Sequence, residues 1–120
     1  MDGMRIVNTI LWDGYVASGN KTTAAMSLKH LEGFSVQATF TGTTPTGSLA
    51  LQVSNDSAEY AAPTHWSTFA PTGFPVTVSA ATTYVGNVTG CYYRWVRLVY
   101  TNSGTDYTMQ LVVNGKGPGE

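Results

Sequence analysis

The chain has 120 residues, of which 42% are hydrophobic, 12% aromatic and only 11% charged, with a formal net charge of -1. That length fits one domain, able to bury about two-thirds of its unfolded surface without help from a metal or a disulfide. So weak and so even a charge gives no electrostatic reason to expect nucleic acid or an anionic membrane as partner, and neither is expected.

The first seven residues, Met-Asp-Gly-Met-Arg-Ile-Val, have neither the basic segment nor the apolar run of a secretory signal. No later run nears the roughly 20 apolar residues of a membrane span, so synthesis in the cytoplasm is the expectation. Residues 5–12 read as a strand, ended by an Asp13-Gly14 turn, with a short extended segment at 15–17 and turn chemistry at Ser18-Gly19-Asn20. Residues 22–28 form another extended piece, and 28–32 have room for one helical turn but not for a stable helix. From Phe34 the pattern sharpens. Phe34, Val36, Ala38 and Phe40 alternate with Ser35, Gln37, Thr39 and Thr41, the period of a strand with one buried face. Leu49, Leu51 and Val53 repeat it, and the Gly/Pro-rich loop between the two runs predicts a hairpin.

Ser54-Asn55-Asp56-Ser57 closes that strand with side chains suited to bonding local backbone. Residues 59–65 are irregular, 66–69 make a short strand or an aromatic plug, and Pro71, Gly73 and Pro75 break the chain before two more short strands at 76–80 and 83–88. Residues 92–101, Tyr-Tyr-Arg-Trp-Val-Arg-Leu-Val-Tyr-Thr, are almost all aromatic, β-branched or long-stemmed and read as a central strand. Its period of two sets Arg94, Val96, Leu98 and Tyr100 on one side and Tyr93, Trp95, Arg97 and Val99 on the other. The first side suits a core. The second has the Tyr, Trp and Arg composition enriched where proteins bury surface against one another. Asn102-Ser103-Gly104-Thr105 leads into a last strand, where Tyr107, Met109, Leu111 and Val113 alternate with polar or exposed positions. Together these elements predict an all-β fold: a single antiparallel β-sandwich or jelly roll of about seven or eight short strands over residues 1–114, with a barrel as the alternative. Residues 115–120, rich in Gly and Pro, are expected to form a flexible tail.

Catalysis needs convergent ionisable groups, and two histidines, four aspartates and three glutamates are scattered over different loops. His30 with Glu32 or Asp56 is the one catalytic pairing worth naming, and an exposed loop histidine is the preferred reading of both His30 and His65. The spacing of His, Cys and acidic residues matches no zinc or calcium pattern, so neither metal nor cofactor is expected. Cys91 is a lone thiol, read as a small buried residue at a strand start, and no intrachain disulfide can form. Arg94 and Arg97, on opposite faces of one strand, call for at least one carboxylate or subunit partner, with Asp56 and Glu59 as candidates. Trp12, Trp66 and Trp95 either line a sugar-binding platform or fill the sandwich core.

Several stretches carry a resemblance. These are Leu31-Glu32-Gly33-Phe34-Ser35-Val36-Gln37, the run from Gly47 through Asn55-Asp56, Trp66, the run Tyr93-Arg94-Trp95-Val96-Arg97-Leu98-Val99-Tyr100-Thr101, and Asn114-Gly115-Lys116-Gly117. Over residues 11–117 the chain resembles small virion structural proteins of tailed bacteriophages. The Ser-Asn-Asp loop, the Trp and the Tyr-Arg-x-Val-Arg strand also look like discoidin-type jelly rolls, many of which bind carbohydrate. The resemblance implies a non-enzymatic virion component made in the host cytoplasm. A capsid decoration or cement protein is the first expectation, contacting the major capsid protein or other virion proteins and copies of itself as a homo-oligomer. Trp12, Tyr93, Trp95 and Arg97 are the expected contacts. The alternative is a tail or tail-fibre component that recognises carbohydrate through Asn55, Asp56 and Trp66.

Overall fold

The computed structural model describes residues 5–17, 19–29, 31–42, 45–56 and 63–117. Ten strands run in the order β1 (Arg5–Val16), β2 (Lys21–Thr22), β3 (Met26–Ser27), β4 (Gly33–Thr41), β5 (Gly47–Ser54), β6 (Ser67–Phe69), β7 (Val76–Val78), β8 (Thr83–Thr89), β9 (Trp95–Asn102) and β10 (Tyr107–Gly117). They form two antiparallel sheets, one ordered β1-β10-β4-β8 and the other β2-β9-β5-β6. In the second sheet β3 also pairs with β9, and β7 also pairs with β5. Each of these short pairs therefore works as one interrupted edge strand, and the sandwich has four strand positions per sheet. With those positions numbered along the chain, the sheet orders are the two interleaved sets of a jelly roll.

The core follows the period-2 alternation. Phe34, Val36, Ala38 and Phe40 of β4, Leu49, Leu51 and Val53 of β5, Val96, Leu98 and Tyr100 of β9, and Tyr107, Met109, Leu111 and Val113 of β10 are all buried. Each such side chain removed from water contributes about 1.5–3 kcal/mol, which makes this shared interior the main force holding the sheets together. Across the gap Tyr100 meets Phe40 at 5.1 Å and Tyr107 at 4.9 Å between ring centroids, both in tilted or edge-on geometries that suit aromatic quadrupoles. The Tyr107 hydroxyl donates to the Gly19 carbonyl at 2.8 Å, and burial pushes its pKa up to about 12.

Four local expectations are corrected. β4 and β5 do not form a hairpin: β4 pairs with β10 and β8, β5 pairs with β9, β6 and β7, and the chain between them crosses from one sheet to the other. Two strands that each bury one face can lie side by side or face to face, and their alternation looks the same in both cases. Asp13-Gly14 is not a turn. β1 runs through it to Val16, and the irregularity lies at Leu11, an extra residue between the pairs Ile10↔Val112 and Trp12↔Leu111. In place of a helical turn, the Leu31 N–H donates to the Leu28 carbonyl at 3.0 Å, and residue 30 lies outside the described residues. Finally, Gly115, Lys116 and Gly117 belong to β10, paired with Val7, Ile6 and Arg5 of β1, so the ordered strand passes the boundary expected at residue 114. Residues 118–120 of the predicted tail lie outside the described residues. Among the described residues no helix is long and apolar enough to cross a membrane.

Candidate functional site

β9 is central in its sheet, between β2/β3 and β5, and its two faces divide as the alternation predicts. Val96, Leu98 and Tyr100 are fully buried, while Trp95, Arg97 and Val99 are half-buried on the outer face. The register sets Trp95 opposite Ser54, and Arg97 opposite Gln52, which in turn lies opposite Thr68 of β6. On this floor the large side chains are held by specific bonds. The Arg97 Nε–H donates to Gln52 Oε1 at 2.8 Å, and the guanidinium lies over the Trp66 ring, 4.3 Å from its centroid. Such a stack satisfies a half-buried cation without a carboxylate. The Trp66 indole N–H donates to the Pro63 carbonyl at 3.3 Å, and that of Trp95 to the Asp56 carbonyl at 3.0 Å.

The loop after β5 fixes the end of this patch. Asn55 Oδ1 accepts the Arg94 N–H at 3.0 Å, joining the loop to the approach of β9. The Asp56 carboxylate accepts the backbone N–H groups of Thr64 at 2.8 Å and His65 at 3.0 Å, and it pairs with His65 Nδ1 at 3.1 Å. The two backbone donors are the main reason its pKa lies below the ordinary carboxylate value. Asp56 therefore clamps a loop. The expected partnership of Asp56 with Arg94 or Arg97 is replaced by the contact with the His65 ring, and Glu59 lies outside the described residues.

Of the seven residues singled out in the sequence, five meet here: Trp95, Arg97 and Trp66 on the outer face, with Asn55 and Asp56 on the loop beside them. The two proposed sets, one for a protein partner and one for a sugar, thus merge into one patch. Tyr93 stands before β9, 36% exposed, with its ring 5.0 Å from that of Phe69. Trp12 is separated from the rest. It lies on β1 in the other sheet, packed against the core, with the Lys21 ammonium 3.6 Å from its ring centroid. The bulge at Leu11 shifts the phase of β1 and turns Trp12 inward, which no reading of a regular strand would foresee. Sequence reasoning passed over Gln52. Alternation alone shows that it points outward, whereas its neighbour Arg97 comes from a strand 45 residues away.

Elsewhere, Cys91 is buried and desolvation raises its thiol pKa, as the reading of a small interior residue expects. His30 lies outside the described residues. His65 is 86% exposed on its side chain. No group of three or more His, Cys, Asp or Glu that could hold a metal occurs among the described residues.

Fold and site together define an all-β jelly roll with an aromatic and arginine patch on one outer sheet face. Its structure is similar to the crystal structure of the SPBc2 prophage-derived protein YomS, with a TM-score of 0.53 and 8% sequence identity, over 95% of this chain and 96% of that chain. At that identity the likeness shows a shared fold. No protein-family model matches the sequence. No curated protein matches it either.

Proposed function

We propose that this chain is a non-enzymatic structural protein of a tailed-phage virion, and within that class a decoration or cement protein that seats on the capsid lattice. The observation that carries the reading is the Trp95–Arg97–Trp66 patch. Binding hot spots are enriched in Trp and Arg, and side chains already held by hydrogen bonds and stacking lose little freedom when a partner covers them. A fold shared end to end with a prophage-derived protein supports the phage setting. The partners are the major capsid protein or another virion protein, together with further copies of the chain.

The test is to purify virions of the phage that encodes the chain and label them with gold-conjugated antibody against it. Label on the head supports the decoration reading, label on the tail moves the assignment to a tail component, and absence from virions refutes both. For the head, Arg97→Ala is expected to weaken addition to bare capsids by roughly 30-fold, the equivalent of about 2 kcal/mol for a hot-spot side chain.

The second reading is a tail or tail-fibre component with carbohydrate held by Asn55, Asp56 and Trp66, and their convergence at one end of the patch favours it. Two details oppose those particular residues. The backbone N–H groups of Thr64 and His65 and the His65 ring already crowd one Asp56 oxygen, Oδ2, and Arg97 covers one face of the Trp66 ring.

A further inference from the structure

Beside the patch, between the segment after β3 and the segment leading into β9, lies a cleft of about 480 Å³. Small-ligand sites commonly enclose about 300–1,000 Å³. Its walls are preformed by backbone bonds. The Leu28 N–H donates to the Arg94 carbonyl at 2.8 Å, the Cys91 N–H donates to the Glu32 carbonyl at 3.1 Å, and the Lys29 N–H donates to Ser27 Oγ at 3.2 Å. The first of these bonds brings Lys29, next in sequence to Leu28, to the same rim as Arg94.

The groups lining the cleft are unbalanced in one direction. Lys29 and Arg94, two of the six cationic side chains in the chain, both line it, and among the described residues no carboxylate does. Among the described residues neither forms an ion pair. Asn55 spends its Oδ1 on the Arg94 N–H, which leaves its amide Nδ2 as a donor. Tyr92 and Tyr93 complete the rim, and Tyr92 is 89% exposed, the most exposed of the large hydrophobic side chains among the described residues. Two cations, an amide donor and two phenols make a surface that offers protons and receives negative charge. The tyrosine rings add a flat apolar wall of the sort on which the apolar face of a sugar packs.

We propose that this cleft binds an acidic sugar unit, a glycan residue carrying a carboxylate or a phosphate. Lys29 and Arg94 hold the anionic group, Asn55 Nδ2 reaches a neighbouring hydroxyl, and Tyr92 covers the ring. The cleft's small volume favours a sugar over an acidic peptide, because peptide docking uses an extended groove or a sheet edge. The net charge of -1 gives no long-range attraction to polyanions, so recognition here is short-range and local. This inference does not depend on whether the chain sits on the head or the tail of a virion.

The experiment is calorimetric titration of the full chain with five probes: an oligogalacturonate, a glycerol-phosphate oligomer, a neutral oligosaccharide of equal length, an Asp/Glu-rich peptide and inorganic phosphate. Binding of the first or second at least tenfold tighter than the last three supports the proposal, and which of the two binds identifies the anionic group. Lys29→Ala and Arg94→Ala are each expected to weaken that binding about tenfold or more, the scale of one charge-assisted hydrogen bond. Tyr92→Ala should weaken it severalfold. All three residues are exposed, so thermal melts should stay at the wild-type temperature and exclude misfolding. Arg97→Ala and Trp66→Ala, which disable the patch, should leave glycan binding unchanged. The proposal is overturned by equal affinity for the neutral sugar, by tighter binding of the peptide, by phosphate alone binding as well as either glycan, by no glycan binding at millimolar concentration, or by loss of binding in the two patch variants.

Discussion

Replacing Trp95 with alanine tests whether the outer face of β9 is an exterior surface held in place or a second core. The side chain is half-buried, so truncation forfeits burial of roughly 100 Å² of an aromatic that covers about 200 Å², worth about 2.5 kcal/mol at 25 cal/mol per Å². Loss of the indole N–H bond to the Asp56 carbonyl adds about 1 kcal/mol. Extended-chain areas overstate burial, which brings the expected cost to about 2–3 kcal/mol. Trp95→Phe keeps most of the area and loses the bond, so about 1 kcal/mol is expected. The comparator is Tyr100→Ala on the inner face of the same strand, where a side chain with 0% exposure should cost about 3–5 kcal/mol. Urea unfolding of the four proteins, with slopes compared to confirm two-state behaviour, gives the differences directly. Equal losses for Trp95→Ala and Tyr100→Ala would refute the assignment of an outer face, and no loss for Trp95→Ala would refute the contacts described for it.

Three further outcomes are expected. A methyl group at Gly47 would overlap the Thr101 carbonyl oxygen, which is backbone, whereas one at Gly115 would meet the flexible Leu31 Cδ1 at 2.6 Å; Gly47→Ala should therefore cost about 3 kcal/mol or more and Gly115→Ala about 1, read from urea midpoints. Asp56 has a lowered carboxyl pKa in the folded state, so its contribution is complete above the unfolded value of 3.8 and is lost as pH falls through the lower folded value; thermal melts from pH 6 to pH 2 should show this loss, and Asp56→Asn should flatten that part of the profile while lowering stability at pH 6. The sign reverses at Tyr107, whose raised pKa makes its contribution complete below the unfolded value of 10 and progressively lost as pH rises toward about 12. Tyr107→Phe should remove part of the alkaline loss and cost about 1 kcal/mol at neutral pH, where the bond to Gly19 is broken.

What the residues determine alone is local. The alternation of Phe34 to Phe40, Leu49 to Val53, Val96 to Tyr100 and Tyr107 to Val113 identifies four strands and the buried side of each, because side-chain period and burial are properties of one strand. Turn residues and the lack of any long helical pattern extend that to an antiparallel sandwich. Partnership is another matter. Whether β4 and β5 lie side by side or in opposing sheets depends on loop path and on which faces close over one interior, and their alternation is the same either way. The candidate site divides in the same manner. That Trp95 and Arg97 share a face was legible from their spacing. Only the tertiary structure brings Gln52 and Trp66 beneath and beside Arg97, turns Trp12 away through one extra residue in β1, and sets Lys29 against the rim of Arg94. Those contacts join residues far apart in the chain, and a pairing chosen by the closing of two sheets leaves no periodic trace in either segment.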